Sequence, residues 1–509
     1  MATSHPLLAT YQPTPSDPFD AVKAAHLLNR AGFGGTPAEI DHVRSIGPVA
    51  AVDELLDFPD APAEEQSETD LPNFSAIDGI PKDFRELQRQ IIAAKTEADK
   101  KQLRMQFNAA NQDVIMATMQ WWMQRMVTGE HPLQEKLTFF WHGHFTTSAK
   151  DEHMATLMWR QNELLRQSAA GNFGKLVHAI SRDPAMLDYL NNTQNVKAHP
   201  NENYARELME LFTLGIGNYT EDDVKQGARA FTGWSHDGEQ YLFRPFQHDM
   251  GVKTFLGFTG NLNGDDVVNI ILRHRACAPF ISSEIYRYFV SDDIDPAMAQ
   301  ALGSVLRENH YELRPLLRTM LTSQAFYSPS AIGAQIKSPV QLVVGTIRLL
   351  GVPMPQQNAI VGTLTQMGQV PLMPPNVRGW LGGRNWINTS TVFVRYNAGV
   401  WLTGGDVPGF LRGNLAGKNA TFDPPRNPGR GAVDFQADQT ANAANAANVA
   451  DPNDPEAIVD SWLNRLIQRP VEESQKRILV EALGNEPQRP QQIRKLIQLI
   501  TAMPEYQLC

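Results

Sequence analysis

A run of acids, amides and one cation, Asn201 to Gly215, gathers the residue types best suited to chemistry. Pro200 is a poor continuation of any preceding helix, Asn201 suits an N-cap, and Gly215 suits the position just past a helix end. The spacing predicts a helix of about four turns. At about 100° per residue, Asn203, Arg206, Glu207 and Glu210 share one face, and Tyr204, Leu208, Leu211 and Phe212 fall largely on the other. Two readings of that polar stripe stand side by side. It is a solvated face laced by an Arg206–Glu210 pair, worth roughly 0.3 kcal/mol. Or it lines a pocket in which Glu207 and Glu210 act as acid and base or as metal ligands. Paired carboxylates in a half-buried site can have their pKa values pushed apart, which is how one acid and one base arise.

Three further stretches supply partners. In Trp141-His142-Gly143-His144, Gly143 makes a helix exit plausible. In extended backbone alternate side chains point the same way, so His142 and His144 would converge on one ligand. Gln247-His248-Asp249 with Lys253 is another titratable group, or a surface turn. A metal held by His142, His144 and His248 with carboxylates would be Zn, Mn or Fe rather than a thiolate-loving ion. Glu207 and Glu210 on one helical face are too close for an inverting glycosidase, so Asp249 is the second carboxylate of a metal-free version. The loop Pro371–Asn388 carries Arg378, Trp380, Arg384 and Trp386 among glycines and prolines. Such residues suit a sugar or anionic ligand by stacking and bidentate bonding, or a rigid loop anchored by its tryptophans.

The elements that must position these groups read as helical. Asp20 or Asp17 caps a helix over 21–30, and Thr36-Pro37 opens the next. The glycines at 32–35 lack a following Lys-Ser/Thr, so they read as a turn and not a phosphate loop. Residues 57–80 are an acidic, Pro-rich loop, and 82–127 form a long helix. His131-Pro132 opens a helix whose apolar side holds Leu133, Leu137, Phe139 and Phe140. Asp183 caps another, and Thr220 with Asp223 makes an imperfect capping box. Residues 235–264 are the best place for a hairpin, and 265–350 are helical throughout. No βαβ rhythm appears. The expectation is a mainly α, large multi-helix globular fold with a small β-hairpin insertion around residues 235–264. Residues 1–403 form the main helical domain, 404–455 a Gly/Pro/Asn/Ala-rich loop or linker, and 456–509 a helical segment docked on the main domain.

Composition narrows the function classes. The chain has 509 residues, 42% hydrophobic and 20% charged, with a formal net charge of −10. An acidic balance with no basic stripe argues against a nucleic-acid partner. Cys277 and Cys509 are the two cysteines, giving neither a disulfide framework nor a thiolate zinc spacing. No window approaches the roughly 18 apolar residues of a membrane span. No signal peptide is visible, so the chain as written is expected in the cytoplasm.

Taken together, His26–Gly34, Phe140-Trp141-His142-Gly143-His144-Phe145, Asn201–Gly217 running on to Phe231-Thr232-Gly233-Trp234, His248-Asp249 with Lys253, Pro375-Asn376-Val377 with Gly379-Trp380, and the terminal Pro504–Leu508 resemble the bacterial DUF1800 family. The resemblance covers nearly the whole chain in motif order. It implies a bacterial source, frequent genomic company with DUF1501 proteins as partners, and relatives that carry export signals, hence a periplasmic or secreted location. It carries over no catalytic residues. The functional expectation is a hydrolase with a His/carboxylate site, metal-dependent or not, acting on a glycan or anionic substrate. Glu207, Glu210 and Asp249 are its catalytic candidates. Asn203, Arg206, Arg378, Trp380, Arg384 and Trp386 are its substrate-binding candidates. The alternative is a non-catalytic binding or assembly protein whose polar cluster is a structural network.

Overall fold

Every residue from Leu133 to His142 in the helix Pro132–His144 is buried, and that helix is the axis of the molecule. Its Leu133, Leu137, Phe140 and Trp141 belong to one hydrophobic core, while Phe139 belongs to a second. The computed structural model describes residues 5–59, 84–150, 155–403, 454–467, 469–484 and 490–509. The acidic loop expected over 57–80 and the linker expected over 404–455 lie almost wholly outside those residues.

The first core gathers the helices Ala21–Arg30, Phe173–Ile180, Gly264–Arg273, Cys277–Phe289, Pro296–Glu308 and Leu313–Leu321. The second gathers Glu97–Thr128, Pro339–Leu350, Gln357–Met367, Pro455–Leu466 and Pro490–Thr501. The fold is mainly α, as the apolar periodicity predicts. Strands among the described residues form two antiparallel hairpins, where one was expected. Trp234–His236 pairs with Tyr241–Phe243, and Lys253–Phe255 with Phe258–Gly260. The long helix predicted over 82–127 is two, Phe84–Ala93 and Glu97–Thr128. No described helix is long and apolar enough to cross a membrane.

Local chemistry explains the helix starts. The Asp20 carboxylate accepts from Lys23 N, Thr36 and Glu39 form a full capping box, and so do Thr220 and Asp223. Polar contacts then clamp the axial helix. Buried Glu135 accepts from Arg125 Nε at 2.8 Å, Arg166 Nε at 2.8 Å and Trp122 Nε1 at 3.0 Å. Arg166 also reaches Asn162 Oδ1 at 2.7 Å and pairs with Glu163. Three helices are thus joined through one carboxylate.

Asp183 couples a cap to the protonation state. Its Oδ1 accepts from Met186 N at 3.0 Å and Gln161 Nε2 at 2.6 Å, and Gln161 in turn holds Thr147. Burial pushes the carboxyl up from 3.8 to about 6 against those hydrogen bonds. The folded chain therefore keeps a proton that the unfolded chain has already lost. The contribution of this carboxyl to stability should fall by about 3 kcal/mol as pH rises from about 4 to about 6, and stay level on either side of that window. Asp183→Asn keeps a capping side chain and should abolish that slope in urea unfolding measured from pH 3.5 to 7.

Candidate functional site

The stretch Asn201–Gly215 is helical but not uniformly α. An α-turn, Asn203–Glu207, passes into a π-helix, Leu208–Thr213. Leu214 N and Gly215 N both donate to Met209 O, at 2.9 and 3.0 Å, and Thr213 Oγ1 donates to Leu208 O. Asn201 accepts from Asn203 N at 3.0 Å instead of capping the helix, which has no side-chain cap. π-turns cost hydrogen-bond geometry and recur at functional sites. Here the wide turn exposes Phe212 O to His144 Nε2, which donates to it at 3.0 Å.

The end of the axial helix and the Gly-rich loop meet at this π-segment. Phe145 N donates to Trp141 O and Thr146 Oγ1 to Gly143 O, closing the helix at His144. In the loop, Asn376 turns the chain by accepting from Arg378 N at 2.9 Å and Gly379 N at 3.0 Å. Gly379 then lies against Gly143, with φ +68° and an added Cβ falling 2.2 Å from Gly143 O. Trp380 stacks on Phe139 at 5.5 Å and meets His142 edge-on at 5.7 Å. So docked, the loop brings the Arg378 guanidinium to 3.6 Å from Glu210 Oε1.

The two glutamates occupy different environments. Glu210 accepts from Tyr219 Oη at 2.8 Å and faces Arg378. Glu207 is half-buried, and no hydrogen bond reaches its carboxyl among the described residues. Burial, and then the charge of Glu210, raise its pKa, opposed by Arg378 and Arg206. Tyr219 is pushed up to about 12 by burial and by Glu210, so its phenol stays a donor.

Arg206 does not pair with Glu210, the partner expected four residues on. It forks onto Glu221 at 2.8 Å through both Nη atoms and reaches Glu202 at 3.1 Å, which raises its pKa. It joins the π-segment to the helix Glu221–Ala230. Asn203 is exposed at the near edge of the segment.

The histidines do not converge. The helix runs through His144, so His142 and His144 diverge by about 200°. His142 is sealed between Trp122 and Trp380, its Nε2 has no hydrogen-bond partner, and burial drives its pKa down to about 3. Burial also lowers His144. His248 lies elsewhere, donating from Nδ1 to Thr232 O at 2.8 Å with its ring against Phe243. Asp249 is held by Arg229 at 2.7 and 3.2 Å and by Gly251 N at 2.7 Å, and the Arg229 bond lowers its pKa. Arg229 stands eight residues from Glu221 on one helix, about 12 Å along its axis. Among the described residues, no three His, Cys, Asp or Glu side chains are placed to hold one ion.

Arg384 is exposed in the turn Gly383–Trp386, while Trp386 is buried and its carbonyl accepts from Thr391 Oγ1 at 2.9 Å, anchoring the next helix. The sequence reading missed Tyr219, Glu202 and Glu221. Only Tyr219 left a signal: a phenol just beyond the Gly215-Ile216-Gly217 turn, able to fold back on the glutamates.

No curated protein and no solved structure matches the chain. A family model described as "Protein of unknown function (DUF1800)" matches residues 26–508. With nearly its whole length matched, the chain belongs to the DUF1800 family.

Proposed function

We propose that the junction of the π-segment and the Arg378 loop is a carboxylate acid–base site, and that the protein is a hydrolase acting on a glycan or an anionic substrate. The observation that carries this is the contrast between two neighbouring glutamates. Glu207 is biased toward its protonated form and free of hydrogen bonds, whereas Glu210 is held by Tyr219 and faces Arg378. Environments that separate two carboxylates in this way define an acid and a base. Glu207 is the general acid; Glu210 is the nucleophile toward a glycan, in the retaining manner that two close carboxylates allow, with Glu207 then taking the proton of the hydrolysing water, or the base that activates water toward a sulfate or phosphate ester. Arg378, exposed on its loop, offers a fork for a carboxylate, sulfate or phosphate on the substrate. The metal-free version is preferred because His142 is buried between two tryptophans and His144 is committed to Phe212 O.

The second reading, a binding or assembly protein with a structural network, is favoured by the bridges from Arg206 to Glu202 and Glu221. The two readings predict opposite signs for Glu207→Gln. A site residue held against its preferred solvation gives up stability for function. Since the folded pKa of Glu207 is raised, its charge opposes folding above the unfolded value and not below it. Glu207→Gln should therefore raise the melting temperature at pH 7 and leave it unchanged at pH 3.5. It should also lower hydrolysis of a panel of aryl glycosides, sulfates and phosphates by about 100-fold or more. A lower melting temperature at pH 7, with no turnover in either protein, would favour the structural network.

A further inference from the structure

Between the two hairpins the chain turns apolar side chains toward water. Leu242, Phe243, Phe246, Met250 and Val252 are all exposed, Phe246 by 91%, Met250 by 67% and Val252 by 65%. Phe246 is the most exposed large apolar side chain among the described residues. A fixed frame holds it there. Gly233 has φ +79°, and an added Cβ would fall 2.6 Å from Arg244 O and 3.1 Å from His248 N, so the turn Pro245–Gln247 lies flat on Gly233. Gln247 N donates to Arg244 O at 3.0 Å, and Lys197 N to Gln247 O at 2.8 Å. The next turn is pinned as well. Gly251 N donates to Asp249 Oδ1 at 2.7 Å, while buried Lys253 donates from Nζ to Asp249 O at 2.6 Å and Gly251 O at 3.0 Å. Arg229 Nη1 reaches Val252 O at 3.2 Å. Each turn thus presents one apolar side chain, Phe246 from the first and Met250 from the second.

An apolar patch of this kind marks a docking surface. Three features select what docks. Phe246 has almost no neighbour, so the patch projects outward and offers no groove for a peptide side chain. The carbonyls of Gln247, Asp249, Gly251 and Val252 are already hydrogen-bonded within the chain, so few polar groups are stranded when the turns leave water. Charge is the third feature. The one carboxylate between residues 241 and 253, Asp249, is tied to Arg229. Half-buried Arg244 and exposed Lys197 have no acidic partner among the described residues. A second copy docked across a twofold axis would set these cations against their own equivalents. Anionic lipid headgroups complement them. We propose that this face is a peripheral docking site for a lipid bilayer bearing anionic headgroups. Phe246 and Met250 enter the boundary between headgroups and acyl chains, and Arg244 and Lys197 meet the phosphates. The chain's net charge of −10 repels the same surface elsewhere, which orients the approach.

The test floats the full 509-residue chain with two kinds of vesicle, phosphatidylcholine alone and equal parts phosphatidylcholine and phosphatidylglycerol, at low and high salt. The parent should float with the mixed vesicles at low salt, and less with phosphatidylcholine alone or at high salt. Phe246→Ser should lower partitioning about tenfold or more on both vesicles, while Phe246→Leu keeps most of it. Arg244→Gln and Lys197→Gln should each lower it about fivefold on the mixed vesicles only. Melting temperatures of the Phe246 variants should match the parent, because that side chain is exposed. A parent that stays unbound with the mixed vesicles at low salt overturns the proposal, and so does a Phe246→Ser variant that floats as well as the parent. Sedimentation velocity covers the other occupant. A concentration-dependent dimer that Phe246→Ser disperses would assign the face to a second copy and overturn the bilayer.

Discussion

Glu135→Ala is expected to be the most damaging single substitution outside the candidate site, lowering unfolding free energy by about 3–5 kcal/mol. The damage comes from what is left behind. Glu135 receives two guanidinium groups and one indole, and the Arg166 and Glu135 side chains are 4% and 2% exposed. Removing the carboxylate strands Arg166 in the core with only Glu163 and Asn162, and leaves Trp122 Nε1 without its acceptor. A pair elsewhere sets the scale. The i,i+4 pair Arg206–Glu202, partly open to water, is of the kind worth about 0.3–0.5 kcal/mol. The buried network exceeds it because water cannot replace the lost partner. Burial opposes the charge on Glu135, yet Arg166 and Arg125 hold its pKa below the ordinary value. The network's contribution is therefore present above the unfolded carboxylate range and lost as pH falls through the folded value. Glu135→Leu combined with Arg166→Met should recover most of the loss, because a well-packed apolar replacement removes both charges together. Urea unfolding of the parent, single and double variants checks both statements. A single-variant loss under about 1 kcal/mol would place the clamp among ordinary surface pairs.

What the sequence made legible was local. Asp20, Thr36 with Glu39, Asp183, and Thr220 with Asp223 start helices where their side chains predict, since a cap needs only the next three residues. The polar stripe, the axial helix end and the Arg378 loop were each identifiable as unusual, and the fold does bring Glu207–Glu210, Gly143–His144 and Arg378–Trp380 together. What stayed hidden was tertiary. The carbonyl of Phe212, in the π-segment, is met by His144 from 68 residues away. Arg206 turned to Glu221, at the start of the next helix in space, instead of to Glu210. Gly143 read as a helix exit, and the helix closes one residue later, at His144, so that His142 and His144 lie on a helix and not on extended backbone. The Glu135 network gathers residues from three helices whose spacing carries no periodic signal. One hairpin became two because the turn Pro245–Gln247 interrupts the stretch, with His248 and Asp249 as its splint to Thr232 and Arg229.

These contacts make the Arg378 loop the most sensitive lever on the site, and Gly379→Ala the change that tests it. Gly379 has φ +68°, where an L side chain costs about 1–2 kcal/mol. Steric contact costs more than the backbone angle. An alanine Cβ would fall 2.2 Å from Gly143 O and 3.2 Å from Thr146 Oγ1. A backbone carbonyl at a helix end cannot step aside as a flexible side chain can, so the loop must lift. Lifting would separate Trp380 from Phe139 and His142, open His142 Nε2 to water, and carry Arg378 away from Glu210. The expected stability loss is about 2–4 kcal/mol, combining backbone strain and lost packing. The effect on the site should be separable from that loss. With Arg378 gone, Glu207 loses a positive neighbour that holds its pKa down, so its carboxyl titrates higher than in the parent. Arg378→Ala leaves the loop docked and should raise the Glu207 titration alone, with little change in stability, because the Arg378 side chain is 62% exposed. Tryptophan fluorescence follows Trp380, and carbodiimide labelling at pH 5 to 7 follows Glu207. Gly379→Ala should change both readouts, and Arg378→Ala only the second. Unchanged fluorescence and stability in Gly379→Ala would mean that the loop is not held by its approach to Gly143.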